Sequence, residues 1–141
     1  MDYNLERFKK AQEKDYYRAL AEIKNGRKES HWMWYIFPQL KGLGYSEISQ
    51  FYGIDGMAEA KAYLKDEVLR DHLVEISEAL LGLESSTAED VMGYPDNLKL
   101  KSSMTLFAQA APEIEVFDKV LAKFFGGERD TKTLEMCIKT A

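Results

Sequence analysis

Apolar side chains recur every three or four positions along most of the chain, which is the spacing that places them on one face of an α-helix. Two such sets occupy residues 3–12 and 14–25, and they form either two helices or one helix with a break. A longer set spans residues 57–81, and others fill the last third of the chain. No stretch alternates apolar and polar residues as a half-buried β-strand does. The pattern therefore predicts a helical chain.

Capping residues and helix breakers divide this pattern into short pieces. Ser30 is placed to cap a short helix that ends before Pro38, because proline lacks an N–H and restricts the residue before it. The next segment contains Gly42 and Gly44 and is typical of an ordered loop. We predict an all-α fold of about seven to nine short helices, too irregular for a regular four-helix bundle. The length fits one compact domain over residues 1–141.

The composition limits the classes of function. A formal net charge of -5 argues against binding to nucleic acid, which requires clustered Lys and Arg. The N-terminus lacks the apolar core of a signal peptide, and no apolar run approaches the ~18 residues of a membrane span. The single cysteine, Cys137, allows neither an internal disulfide nor a cysteine-based zinc site. We therefore expect a cytoplasmic protein with no metal, no cofactor, no nucleic-acid partner and no membrane contact. The sequence leaves the oligomeric state open.

The segment 28–46, which we call the Trp block, concentrates rare and chemically useful side chains: Lys28, Ser30, His31, Trp32 and Trp34. In one interpretation His31 is a general acid or base beside an aromatic wall. In the other, the two indoles pack into the core and His31 bonds to a backbone carbonyl. Neighbours in a helix do not face each other, so His31 and Trp32 point in different directions.

The loop from Gln39 to Gly44 carries a Gly-X-Gly pattern. A dinucleotide fingerprint needs a fuller glycine pattern between a strand and a helix, and no strand is predicted here. Gly42 and Gly44 would still let backbone N–H groups approach an anionic ligand. The alternative is an ordinary surface loop.

A second polar set lies between Asp96 and Phe107. On a helix, Asp96, Lys99 and Ser103 share one face, and Ser102 lies beside them. A carboxylate, an ammonium and a hydroxyl in one row would suit a phosphate or a ribose. Alternatively, they are a helix cap, an exposed ion pair and a solvated serine. The order of serine and lysine is the reverse of the Ser-x-x-Lys motif, so a serine hydrolase is not indicated.

The chain resembles the domain-of-unknown-function family 1810 (DUF1810), some members of which carry the label calpastatin-like. The resemblance depends on runs that cover nearly the whole chain: residues 26–28, 30–34, 37–39, 42–46, 52–54, 96–107 and 130–134. It implies an all-α single domain and no established activity. The family's polar signature positions fall here on Lys28, Ser30, His31, Gln39, Asp96, Lys99, Ser102, Ser103 and Asp130. Packing alone rarely fixes so many polar residues, so the resemblance indicates one shared pocket.

The region 52–73 is also similar to N-glycosidases that act on ADP-ribose-type riboflavin intermediates. Their chemistry is the loss of a base from a ribosyl carbon. It would need a carboxylate and a phosphate cradle, which Asp96, Lys99 and the 42–46 loop would supply.

Two functions follow from these observations. The first is a small-molecule-binding site, which in its fullest form is the active site of an enzyme that acts on a nucleotide- or ribose-containing substrate. Asp96 or His31 would transfer protons, Lys99 would hold an anion, and Trp32 or Trp34 would form a wall for a flat base. The second is a non-catalytic interaction or regulatory module that presents the Trp block as an exposed apolar anchor. A purely structural role for the motif is the third interpretation.

Overall fold

The computed structural model describes residues 3–85 and 87–140. Within these residues the chain forms the helices α1 (Glu6–Lys24), α2 (Met33–Ile36), α3 (Glu47–Tyr52), α4 (Gly56–Lys65), α5 (Glu67–Leu81), α6 (Ala88–Met92), α7 (Asp96–Ala110), α8 (Val116–Phe125) and α9 (Thr131–Thr140). The only extended pairing in the described residues is an isolated parallel bridge between Leu40 and Ile54. The predicted all-α fold with seven to nine short helices is confirmed.

The two apolar sets predicted over residues 3–12 and 14–25 lie on one continuous helix, α1, in the described residues. Its buried side is continuous because Gln12 fills the position between Phe8 and Tyr16. The Gln12 amide is buried but satisfied: its Nε2 donates to the carbonyl of Tyr35 at 2.8 Å and to the Tyr63 hydroxyl at 3.0 Å. A polar residue in the stripe therefore marks an internal hydrogen-bond network and no break in the helix.

The longer apolar set between residues 57 and 81 is divided in two at Asp66. The backbone there is extended, with φ of -75° and ψ of 119°, which ends α4. The Asp66 carboxylate then accepts a hydrogen bond from the Leu69 N–H at 3.1 Å and caps α5. Lys9 of α1 pairs with the same carboxylate at 2.7 Å.

Helix α7 is the central helix of the core and packs against α4, α6, α8 and α9. Leu100, Met104 and Phe107 are fully buried along it. The ring of Phe107 lies 5.2 Å from that of Tyr63 and 5.9 Å from that of Phe117. The buried part begins at Leu100, whereas Asp96 and Lys99 are only half-buried. The first turn of α7 is therefore the place where this helix meets solvent.

In the part of the chain that the structure describes, no helix has both the length and the apolar character needed to cross a bilayer.

Candidate functional site

The carboxylate of Glu22, near the end of α1, organises the Trp block. It accepts hydrogen bonds from the backbone N–H groups of Glu29 and Ser30 at 2.7 and 2.9 Å. It also accepts one from the Ser30 hydroxyl at 2.5 Å and one from the indole Nε1 of Trp32 at 2.9 Å. The expected helix cap at Ser30 is wrong: Trp32 takes the N-cap position of α2 without a side-chain cap, and the Ser30 hydroxyl turns to Glu22.

These contacts determine the protonation of Glu22. Burial acts to raise the pKa of its carboxyl group, but hydrogen bonds from Ser30, Glu29 and Trp32 outweigh that effect. Together they lower the pKa to about 2 from the ordinary value of 4.5. The carboxylate is therefore charged at neutral pH. We did not anticipate Glu22 from the sequence, although a carboxylate beside Ala19 and Ile23, on the apolar side of a helix, is a usable signal.

The Trp block and the first turn of α7 are in direct contact. The ammonium group of Lys28 lies 2.9 Å from the Asp96 carboxylate and donates to the carbonyl of Ser30 at 2.6 Å. It also lies 5.0 Å from the centre of the Trp32 ring. The backbone N–H of Lys28 donates to the carbonyl of Val91, at the end of α6, at 2.7 Å. Two segments nearly seventy positions apart in the sequence are thereby joined through a nearly buried lysine.

Lys99 is the second ammonium group beside Asp96. Its Nζ lies 3.4 Å from the Asp96 carboxylate, one turn earlier on α7, and 5.2 Å from the centre of the Trp34 ring. The Asp96 carboxylate thus faces two ammonium groups, Lys28 and Lys99. A cation over an indole face is a favourable arrangement. The pair of Lys99 and Trp34 is also accessible, because both side chains are only half-buried.

A narrow cleft opens beside Trp34. Its walls are formed by Trp34, Gln39, Leu40, Gly44, Ser49, Tyr52 and Gly53. The water-accessible volume is about 10 Å³, which is about the space that one water molecule needs. The side chain of Gln39 is half-buried in this lining, and its amide group can both donate and accept hydrogen bonds. Of the predicted site residues, Trp34, Gln39 and Gly44 line this cleft, and Lys99 contacts its aromatic wall.

A second, wider hollow lies on the far side of Lys28. Arg27, Lys28, Glu89 and Asp90 line it, with the backbone of Val91 and Gly93, and its water-accessible volume is about 380 Å³. It has the size of a small-molecule pocket. Acidic and basic groups are mixed in it, however, and it contains no aromatic ring to hold a flat ligand.

Other predicted site residues lie elsewhere. Trp32 is fully buried and packs on Phe37, so the expectation of an accessible wall at this position is wrong. His31 is exposed and lines neither hollow. Little of the apolar anchor predicted for the interaction module is exposed in residues 32–37, because Trp34 is half-buried and the other five residues are buried.

The remaining predicted residues have local structural contacts. The hydroxyl of Ser102 donates to the carbonyl of Leu98 at 3.2 Å, within α7. Ser103 is fully buried, and its Oγ has no hydrogen-bond partner among the described residues. The Asp130 carboxylate accepts the Thr133 N–H at 3.0 Å, which caps α9. Gly42 adopts a positive φ of 103°, which favours glycine.

The fold and these contacts define an irregular all-α domain with a polar, aromatic-walled cleft beside a cluster of two lysines and one aspartate. The family model "Protein of unknown function (DUF1810)" matches residues 2–137, and the chain belongs to this family. The solved structure of the conserved hypothetical protein Rv1873 from Mycobacterium tuberculosis is similar, with 41% sequence identity and a TM-score of 0.94. The similarity covers 96% of this chain and 97% of that one. No curated protein matches the chain.

Proposed function

We propose that the chain is a small-molecule-binding domain whose ligand contains a flat ring and an anionic group, as nucleotide- and ribose-containing compounds do. The site is the cleft beside Trp34. The observation that carries this proposal is the ammonium group of Lys99 5.2 Å from the centre of the Trp34 ring, which lines the cleft together with Gln39.

Each part of the ligand has a complementary group in this arrangement. Trp34 is half-buried and lines the cleft, so its indole ring offers a stacking surface for a base. The Gln39 amide donates and accepts hydrogen bonds, which suits the polar edge of a base or a carboxamide. Lys99 supplies a positive charge for a phosphate or carboxylate, because Asp96 already has Lys28 as a closer partner.

In its catalytic form the proposal is an N-glycosidase-like hydrolysis. Water would add to the ribosyl carbon, the bond from that carbon to the base nitrogen would break, and the base would leave with a proton. Positive charge develops on the sugar in such a reaction, and the Asp96 carboxylate is the negative group beside Lys99 that would stabilise it.

A thermal-shift series with nucleotides, ADP-ribose and phosphosugars tests binding. A ligand present at 100 times its dissociation constant stabilises the folded state by about 2.7 kcal/mol, which raises Tm by several degrees. We expect such a shift for the wild-type chain and its loss in Lys99→Met, since the methionine keeps the stem of the side chain and removes the charge.

The matched control is Lys119→Met, which removes an exposed lysine from α8. This variant should retain the full shift. The proposal is wrong if every compound leaves the wild-type Tm unchanged, or if Lys99→Met responds as strongly as Lys119→Met.

A further inference from the structure

Residues 40–54 form an Ω-loop, a compact excursion whose two ends meet. The ends are joined by hydrogen bonds from the Lys41 N–H to the Ile54 carbonyl and from the Ile54 N–H to the Gln39 carbonyl, both at 2.8 Å. The length lies within the range of about 6–16 residues for such loops, which frequently carry function. Leu40 and Ile54 at the ends are buried, but no residue between 41 and 52 is buried. Helix α3 is therefore attached to the domain without being part of its core.

The loop is internally braced. Ser46 caps α3 by accepting the Ser49 N–H at 3.2 Å, and the Gln50 amide donates to the Gly44 carbonyl at 3.2 Å. Gly44 is packed so closely that a Cβ there would lie 2.7 Å from the Ser49 Oγ. These contacts lie within the loop, so it is built to move as one piece.

Arg7 of α1 ties the second end of the loop to the domain. Its Nε donates to the Phe51 carbonyl at 2.8 Å, and its Nη2 donates to the Gly53 carbonyl at 3.0 Å. The guanidinium is itself held by Glu59 of α4 at 2.9 Å, in a pair that is almost completely buried. One side chain thus connects the loop to two helices of the body.

The loop also covers the cleft. Gly44, Ser49, Tyr52 and Gly53 form one of its sides, and Trp34 lies across from them. Pockets for small molecules usually measure about 300–1,000 Å³, whereas this cleft has room for about one water. A ligand with a ring can enter only if one side moves, and on the loop side residues 41–52 are not buried, whereas Gly53 at the end of the loop is.

We infer that the 41–53 loop is a lid that lifts as a unit from the Trp34 cleft, and that the hydrogen bonds from Arg7 hold it closed. The identity of what enters rests on the proposed function; the opening of the lid does not. Lifting the loop must break the ring contacts of Tyr52 with Tyr35 and Phe8, at 5.1 and 5.9 Å, whereas Ile48 and Phe51 of α3 are exposed and do not oppose the movement.

Hydrogen exchange measured by mass spectrometry on the full chain, without ligand, tests the lid. In wild type, amides of residues 47–52 should exchange faster than those of α5 and α7. Arg7→Lys removes the forked donor and should raise exchange in 41–53 by about tenfold or more, with α5 and α7 unchanged.

A second variant acts at the other contact. Gly53 has an ordinary backbone conformation, with φ of -62° and ψ of 135°. A Cβ there would nevertheless lie 2.6 Å from the Lys41 Cα, so Gly53→Ala should separate the ends of the loop and raise exchange in the same peptides. Gly82→Ala is the matched control: its φ is -77°, its Cβ would be 3.5 Å from the nearest atom, and exchange in 41–53 should stay at the wild-type rate.

Unchanged exchange in 41–53 in both variants would overturn the lid. An equal rise in exchange across the whole chain would also overturn it, because contacts with a purely structural role would produce that result. If the loop opens as expected and no compound in the thermal-shift series binds, the lid stands and the proposed ligand class fails.

Discussion

Replacing Glu22 with Gln should lower the free energy of unfolding by about 3 kcal/mol, because four donors converge on a buried carboxylate. A glutamine has the same shape, and its oxygen can replace Oε1, which accepts the three N–H donors, but it lacks the negative charge that strengthens these hydrogen bonds. Its NH₂ group also replaces the oxygen that accepts the Ser30 hydroxyl. Urea unfolding at neutral pH measures the loss. Glu13→Gln, an exposed change on the same helix, should cost less than about 0.5 kcal/mol. Equal stability of the two variants would contradict the role given to Glu22.

The pH dependence of the same difference provides an internal check. The pKa of Glu22 is about 2 in the folded chain and 4.5 ordinarily, so the folded state binds its proton less readily than the unfolded state. The stabilisation is therefore fully present above pH 4.5 and is lost as the pH falls toward 2. The difference in free energy of unfolding between wild type and Glu22→Gln should therefore decrease as the pH falls from 4.5 toward 2. It should stay constant between pH 5 and 8.

Breaking the pair between Lys28 and Asp96 should have the second large effect. In Asp96→Asn, the ammonium group of Lys28, whose side chain is 7% exposed, keeps the Ser30 carbonyl as its near partner. We expect the free energy of unfolding to fall by about 2–4 kcal/mol. A double-mutant cycle with Lys28→Met should give a coupling energy above 1 kcal/mol.

The control cycle combines Asp96→Asn with Lys99→Met. Lys99 is 27% exposed and lies farther from the carboxylate, so its coupling should be below about 1 kcal/mol. Asp90→Asn, at an exposed carboxylate near Lys28, should change stability little. A Lys28 coupling no larger than that of Lys99 would show that the Trp block and α7 are not joined as described.

The helices were predictable because burial of one helix face makes apolar residues recur about every 3.6 positions, and a single polar exception does not hide that pattern. The exception at Gln12 shows the limit. A polar residue in an apolar stripe indicates either a break or a buried hydrogen-bond partner, and the partners of Gln12 come from α2, α4 and α5. No local pattern contains that information.

In the candidate site, too, some features were predictable from the sequence and others were not. The family's shared polar positions, which include Lys28 and Asp96, predicted that the Trp block and α7 lie together, and the two side chains form an ion pair in the structure. Which of Trp32 and Trp34 is accessible was not predictable, because Glu22, on another helix, draws Trp32 inward. The contact from Arg7 to the loop is likewise long-range and involves backbone carbonyls, which carry no side-chain signature.

The most direct test of the ligand site uses the two indole N–H signals of the ¹⁵N-labelled chain, one from Trp32 and one from Trp34. They are assigned with Trp34→Phe and recorded during titration with ADP-ribose and with nucleotides. We predict that the Trp34 signal shifts in proportion to occupancy, while the buried Trp32 signal, bonded to Glu22, stays in place. A compound that binds and shifts signals elsewhere but leaves Trp34 unmoved would contradict the account, as would a Trp34 signal that no compound in the series shifts.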